Sequence, residues 1–171
     1  MTSIIKATPA DAKLLAIIGK PAFIEAHGHS ASEEVISNYV KEKFSEEAFK
    51  ADLIVPENIF HIISHTDQPA GYSKIILNDA HPEISSPNIT KLERLYLLKE
   101  FYGANLGAEL FRFNVDLSKQ QGQEGMWLYV WKENHRAIRF YEKNGFKAIG
   151  SYDFKLSETH TNPNHLMFLQ Y

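Results

Sequence analysis

The order of hydrophobic and polar positions predicts a chain that opens helical, turns to strands, and then alternates strand and helix. Ser3 to Ala7 reads as a strand stopped by Thr8-Pro9. Thr8 can then cap a helix with Pro9 at its first position, and Leu14, Leu15, Ile17 and Ile18 supply the apolar face until Gly28 breaks the pattern. Ser32 followed by Val35, Tyr39, Val40 and Phe44 predicts a second helix, and Glu46 to Leu53 a short third one before Pro56. Phe60 to Ser64 and Ala70 to Leu77 read as an antiparallel hairpin across Asp67-Gln68-Pro69, and Leu92 to Leu98 as a further strand. From Asn105, the residues Leu106, Leu110, Phe113 and Leu117 recur at helical spacing up to Gln121-Gly122. Trp127 to Trp131 is a strand. Asn134 to Asn144 is a helix, with Ala137, Ile138, Phe140 and Tyr141 on its inner side and Gly145 in the position of a left-handed C-cap. Strands near Ala148 to Leu156 and Leu166 to Gln170 complete the pattern. The fold class is α/β (α+β), with a mixed central sheet of six to seven strands flanked by about four helices.

Composition narrows the class. The chain has 171 residues, 44% hydrophobic and 23% charged, enough for one core, and it shows no linker or repeat, so residues 1–171 read as a single domain. A formal charge of -3 argues against a nucleic-acid partner, which needs a basic face. With no cysteine, thiolate catalysis and thiolate metal sites are out, and the chain suits a reducing compartment. No apolar stretch approaches the roughly 20 residues of a membrane span, so no membrane partner is expected and the expected location is cytoplasmic.

Eight histidines raise the question of a metal. His27-Gly28-His29 is an i, i+2 pair in a loop, and His61 and His65 would share a face in a helix, with no other ligand converging in sequence. No metal is expected.

Two strand–turn–helix units carry the candidate chemistry. In the first, Leu92 to Leu97 leads through a loop into Gly103-Ala104-Asn105-Leu106-Gly107-Ala108. A turn feeding a helix N-terminus offers unpaired backbone N–H groups and a favourable dipole to a diphosphate. Asn105 suits positive φ better than other non-glycine residues. In the second unit, a strand precedes Asn134, Ala137, Tyr141, Gly145 and Phe146. A spacing of seven sets Asn134 and Tyr141 two turns apart on one helical face. The plain reading of these two is an N-cap and a half-buried core aromatic.

Together the two units resemble the GCN5-related N-acetyltransferase (GNAT) superfamily. Leu92 to Leu97, Trp127 to Phe146 and Ala70-Gly71-Tyr72 are most similar to bacterial spermidine/spermine (polyamine) acetyltransferases. The resemblance implies a GNAT fold and an enzyme that moves the acetyl group of acetyl-CoA onto a primary amine, a small molecule such as spermidine or spermine. It assigns coenzyme contacts to Leu95, Tyr96 and Leu97, to Tyr102 through Ala108, and to Asn134 and Ala137. The usual turn signature is Arg or Gln, two residues, Gly, one residue, Gly or Ala. This chain has Tyr102, Asn105 and Gly107 there, so two of the three positions depart from it. By the same resemblance Glu93 is the base that takes the amine's proton and Tyr141 the acid beside the departing sulfur. Burial beside the strand would raise the pKa of Glu93, and the N–H of Leu95 or Leu97 would face the carbonyl oxygen if a bulge leaves the strand unpaired. The structural alternative for Glu93 is a strand carboxylate paired with Arg94 or Lys91.

Acceptor choice would fall to the first helices and the loop before the central strand, which hold Glu25, His27, His29, Glu33, Glu34, Asp79, His81 and Glu83. An acidic lining suits a polycation. Two other readings stay open. One is a non-catalytic module of the same fold that binds acetyl-CoA as a sensor. The other is a doubly wound nucleotide-binding domain, whose glycine turn should follow the first strand rather than residue 100. The chain is expected to be a monomer or homodimer, with the apolar strand Leu166 to Leu169 either pairing across a dimer or closing the sheet.

Overall fold

The computed structural model describes all 171 residues. The strands are β1 (Thr2–Lys6), β2 (Asn58–His65), β3 (Gln68–Ile76), β4 (Ile89–Leu97), β5 (Gly125–Trp131), β6 (Lys147–Lys155) and β7 (Thr161–Gln170). The helices are α1 (Ala12–His27), α2 (Glu33–Lys43), α3 (Glu46–Leu53), α4 (Leu106–Gln120) and α5 (His135–Lys143). The seven strands form one mixed sheet, within the six to seven expected, in the order β1-β2-β3-β4-β5-β7-β6, with five helices where about four were predicted. By internal contacts the chain divides into two compact units. One comprises Met1–Ile75 with Arg94–Asn114, the other Ile76–Glu93 with Val115–Tyr171.

In the first unit, Thr8 donates from its backbone N–H and its hydroxyl to Asp11 Oδ2, at 2.8 and 2.9 Å, and a single 3-10 turn leads into α1. Of the four residues proposed for the α1 face, Leu15 and Ile18 are buried while Ile17 is 59% exposed. The true stripe runs through Ala12, Leu15, Ile18, Gly19, Ala22 and Phe23, the three-and-four spacing of one helical face. Ser32 and Ser45 cap α2 and α3, accepting from the N–H of Val35 and of Ala48.

The hairpin turn differs from expectation. Thr66 and Asp67 form it, with φ of 50° and 63°, and Gln68 and Pro69 already belong to β3. Two successive positive φ angles give the turn whose twist matches that of paired strands. Gly71 on β3 has no room for a side chain, because a Cβ there would collide with Tyr96 O and Leu97 Cδ2 and lie 3.1 Å from Leu97 Cα. The core combines Ile63, Ala70, Leu106 and Leu110, flanked by Leu95, Leu97 and Phe101, with an aromatic group of Phe23, Phe44, Phe49, Phe60 and Tyr72.

The predicted α4 stripe is corrected in part. Phe113 is 37% exposed and sits edge-on to the buried His61, with centroids 4.8 Å apart. Polar Asn114 and Ser118 are buried in its stead. Asn114 Nδ2 donates to Ser73 Oγ at 2.9 Å and to Leu110 O at 2.8 Å, so both hydrogens of its amide nitrogen are matched inside the core.

In the second unit, Ser118 Oγ lies 2.7 Å from Thr90 Oγ1 and accepts from Tyr171 OH at 2.7 Å. Desolvation, the largest effect, pushes the Tyr171 phenol up to about 12. β4 and β5 run parallel, with Ile89, Thr90 and Lys91 opposite Gly125, Met126 and Trp127. β7 begins at Thr161, five residues before its predicted start, and pairs with β5 on one side and β6 on the other. Both its edges are therefore taken. Of the two alternatives, pairing across a dimer or closing the sheet, the strand takes neither: it lies inside the sheet, and β6 is the edge strand on that side. No helix is long and apolar enough to cross a membrane.

Candidate active site

The coenzyme contacts proposed for the first strand–turn–helix unit fall on β4 and its loop in the first compact unit. The side chains of Leu95 and Leu97 pack on the Ile63–Leu106 core, and Tyr96 stands edge-on to Phe23 and His27 at 6.5 and 6.4 Å. These side chains build the wall, which leaves backbone groups to meet a ligand. The loop turns through Gly103 at φ 86° and Asn105 at φ 60°, the positive φ foreseen for Asn105. Gly103, Ala104 and Asn105 are exposed, while Tyr102, Gly107 and Ala108 are half-buried and Leu106 is buried as the helix's anchor.

The first bond along α4 runs from Glu109 N–H to Asn105 O, at 3.1 Å. The N–H groups of Leu106, Gly107 and Ala108 precede it and have no partner within the helix. A Cβ at Gly107 would meet only Leu97 Cδ1, at 3.4 Å, and one at Gly103 nothing within 4 Å. The protein's own packing does not require glycine at Gly107, whereas at Gly103 the positive φ does. Bare amides and missing side chains at a helix N-terminus fit a diphosphate.

In the second compact unit, Asn134 lies one residue before α5. Its Oδ1 accepts from Ala137 N–H at 3.2 Å, and its backbone (φ -82°, ψ 66°) is not helical. The plain N-cap reading is thus realised. The one-face argument starts a residue too early, although Asn134 O still accepts from Ile138 N–H at 3.0 Å. The cap occupies Oδ1, and the Nδ2 hydrogens are the ones Asn134 has to offer a ligand. Tyr141 is half-buried, its ring 5.4 Å from Phe140 and from Phe146. Desolvation pushes its phenol well above the ordinary tyrosine value, so the hydroxyl keeps its proton at neutral pH and has it available to donate.

Glu93 closes the second unit's share of β4, half-buried, with Oε2 3.6 Å from Lys91 Nζ. The Lys91 pairing foreseen as its structural role is present. Arg94 spreads its guanidinium over the ring of Phe44, 4.5 Å from the centroid.

The proposed acceptor residues divide between the compact units. In the first, Glu25 pairs with Lys99 at 3.0 Å, and Glu33 and Glu34 are exposed in the first turn of α2, where they favour the helix dipole. His27 is the last residue of α1, and burial first, then His29, lowers its pKa to about 4. In the second unit, His81 Nε2 lies 2.7 Å from Tyr129 OH, and Asp79 O accepts from Trp127 Nε1 at 2.6 Å. The Tyr129 phenol is pushed up by desolvation, then by Tyr152, Glu83 and Asp79, which ties both carboxylates to its surroundings.

The aromatic group of Trp127, Tyr129 and Tyr152 beside Lys91 was not foreseen. Residues alternating along Trp127-Leu128-Tyr129 mark one face of β5, but the register that sets Lys91 opposite Trp127 belongs to tertiary structure. His61 and His65 lie on a strand rather than a helix, about 13 Å apart at 3.3 Å per residue, too far for one metal.

The model of the "Acetyltransferase (GNAT) family" matches residues 24–146. An uncharacterized N-acetyltransferase of Lactobacillus delbrueckii subsp. lactis is 26% identical over 155 residues, covering 91% of this chain and 90% of its relative. The spermidine N(1)-acetyltransferase of Thermoplasma acidophilum is 30% identical over 123 residues, covering 68% and 70%. Among solved structures, the PaiA N-acetyltransferase of the same organism in complex with coenzyme A superposes with a TM-score of 0.80. It is 22% identical and covers 100% of this chain and 99% of its own. With a family match over more than half of its length, this chain belongs to the acetyltransferase (GNAT) family and is an acetyl-CoA-dependent N-acetyltransferase.

Proposed function

We propose that the chain acetylates a primary amine of a polyamine such as spermidine, with Glu93 as base and Tyr141 as acid. The observation that carries the acceptor is the face holding Glu93, where Trp127, Tyr129 and Tyr152 gather around the Lys91 ammonium and Glu83 and Asp79 help raise the Tyr129 phenol after desolvation and Tyr152. The named activity of the Thermoplasma acidophilum relative supports the same choice.

Bound acetyl-CoA supplies an electrophilic thioester carbonyl. The amides of Leu106, Gly107 and Ala108 hold its diphosphate, and Gly103, Ala104 and Asn105 shape the turn. Tyr102 stands where the signature has Arg or Gln and gives no guanidinium. Asn134 donates through Nδ2 while Ala137, whose N–H is used by the cap, keeps that side chain oriented. Leu95 or Leu97 N–H, beyond the Ile89–Lys91 ladder to β5, faces the carbonyl oxygen. Glu93 takes a proton from the acceptor's ammonium, directly or through a water. The freed nitrogen forms the C–N bond as the C–S bond breaks, the Tyr141 hydroxyl gives its proton to the departing sulfur, and the surplus proton of the new amide nitrogen passes through water to restore the phenol.

The two compact units act as one domain in this reading, since the family match runs through both. The reading includes a cytoplasmic location, with which a chain without cysteine is compatible. The experiment is thiol release with acetyl-CoA and a panel of amines, for wild type, Glu93→Gln and Tyr141→Phe. Spermidine should be the best acceptor. Glu93→Gln should lose about a hundredfold in kcat, and Tyr141→Phe should slow turnover more than it weakens coenzyme affinity. Unchanged rates in both variants would remove the assignment of chemistry, and coenzyme binding without turnover of any amine would favour the sensor reading.

A further inference from the structure

The sheet face that carries Glu93 already holds a cation, and it is one of the protein's own. Lys91 Nζ lies 5.0 Å from the centroid of the Trp127 ring and 5.8 Å from that of Tyr129. Glu93 Oε2 is 3.6 Å from the same nitrogen. Tyr129 stacks face to face on Tyr152, with centroids 4.2 Å apart and planes 13° from parallel. Its hydroxyl meets His81 Nε2 at 2.7 Å, and the His81 ring is 4.7 Å from Trp127. The two ring faces are thereby fixed by neighbours on the loop before β4 and on β6. Two fixed faces of Trp and Tyr with a carboxylate at the rim make a receptor for an ammonium.

Asp79 and Glu83 act on the Tyr129 phenol, and Glu93 lies 3.6 Å from Lys91 Nζ, so carboxylates that attract a cation remain in these surroundings when the lysine's ammonium moves to water. That departure is open to it. The Lys91 side chain is 22% exposed, Glu93 26%, and Tyr152 45%, so the receptor borders solvent. A four-carbon stem also lets an ammonium change place without moving the strand.

We propose that the rings of Trp127 and Tyr129 form an anchoring subsite for a second, non-reacting ammonium of the acceptor, next to the Glu93 that serves the reacting one, and that in the free enzyme Lys91 occupies it as a tethered competitor. The inference rests on the amine-acceptor reading and sharpens it. The acceptor carries at least two cationic centres, and a monoamine has nothing to gain from displacing Lys91. A tethered competitor acts at an effective concentration on the order of millimolar, so removing its charge should favour the free dication.

The test compares KM for spermidine with KM for n-butylamine in wild type, Lys91→Met and Tyr129→Leu. Methionine keeps the apolar stem. Because Lys91 also pairs with Glu93, kcat is free to change, and the ratio of the two KM values is the quantity read. Lys91→Met should shift that ratio in favour of spermidine by about three- to tenfold, and Tyr129→Leu should shift it by a similar factor the other way. An unshifted ratio in Lys91→Met, or a shift toward butylamine, would overturn the subsite. If wild type turns over neither amine, the polyamine reading itself fails. The subsite is then judged by quenching of tryptophan fluorescence during titration with 1,4-diaminobutane. Tighter binding to Lys91→Met than to wild type upholds it, and equal or absent binding overturns it.

Discussion

Replacing Gly107 with alanine should separate the fold from the coenzyme site by moving stability and binding in opposite directions. A Cβ at this position meets Leu97 Cδ1 at 3.4 Å and nothing nearer, an ordinary contact. The residue lies in the first turn of α4 with no positive φ, so alanine is conformationally free there. Alanine in place of a helical glycine is worth about 0.5–1 kcal/mol, which for a chain of this size raises Tm by about 1–4 °C. The same methyl stands beside the amides of Gly107 and Ala108. Losing one hydrogen bond to a charged oxygen costs about 1.5–3 kcal/mol, a weakening of about ten- to a hundredfold in Kd. Scanning fluorimetry without ligand and calorimetry with coenzyme A measure the two effects on one preparation. Undiminished coenzyme affinity would refute the diphosphate assignment, and a lowered Tm would refute the reading of free space at Gly107.

Two further outcomes follow from packing. Gly71→Ala should destabilise the protein by about 1–3 kcal/mol, because its Cβ collides with the β4 backbone; a urea midpoint equal to wild type would contradict this. His61 is buried, and desolvation followed by Lys6 lowers its pKa to about 4 from 6.5. The folded state therefore binds fewer protons than the unfolded one between those values. Stability from this group is fully present above pH 6.5 and declines toward pH 4 by about 3 kcal/mol. In urea titrations at pH 7 and pH 4.5, His61→Gln should lose less stability than wild type on acidification, and an identical loss would argue against the assignment.

Local signals carried most of the fold. Ser32, Ser45 and Asn134 cap helices as their residue types suggest, and the strand–turn–helix spacing around Gly103 and Asn134 was readable because each step is a short-range preference. What escaped depends on contacts distant in sequence. Asn114 and Ser118 are buried on α4 because Ser73, Thr90 and Tyr171 bond to them, whereas an apolar search selects Phe113, which is partly exposed. The turn at Thr66-Asp67 was missed because Gln68-Pro69 looked like the stronger turn signal, yet strand twist decided it. The early part of β7, from Thr161 to His165, is polar in sequence and joins the sheet through pairing with β5 and β6. For the candidate site, the turn at Gly103 and Asn105 was legible in its residue types, but the Lys91–Trp127 register was not.

Backbone amide shifts of Leu106, Gly107 and Ala108 give the most direct test of the account. Titration with coenzyme A should move all three resonances strongly, and titration with pantetheine, which lacks the diphosphate, should leave them near their free positions. Resonances that stay still while coenzyme A binds elsewhere, or that respond equally to pantetheine, would contradict the claim that the opening of α4 holds the diphosphate.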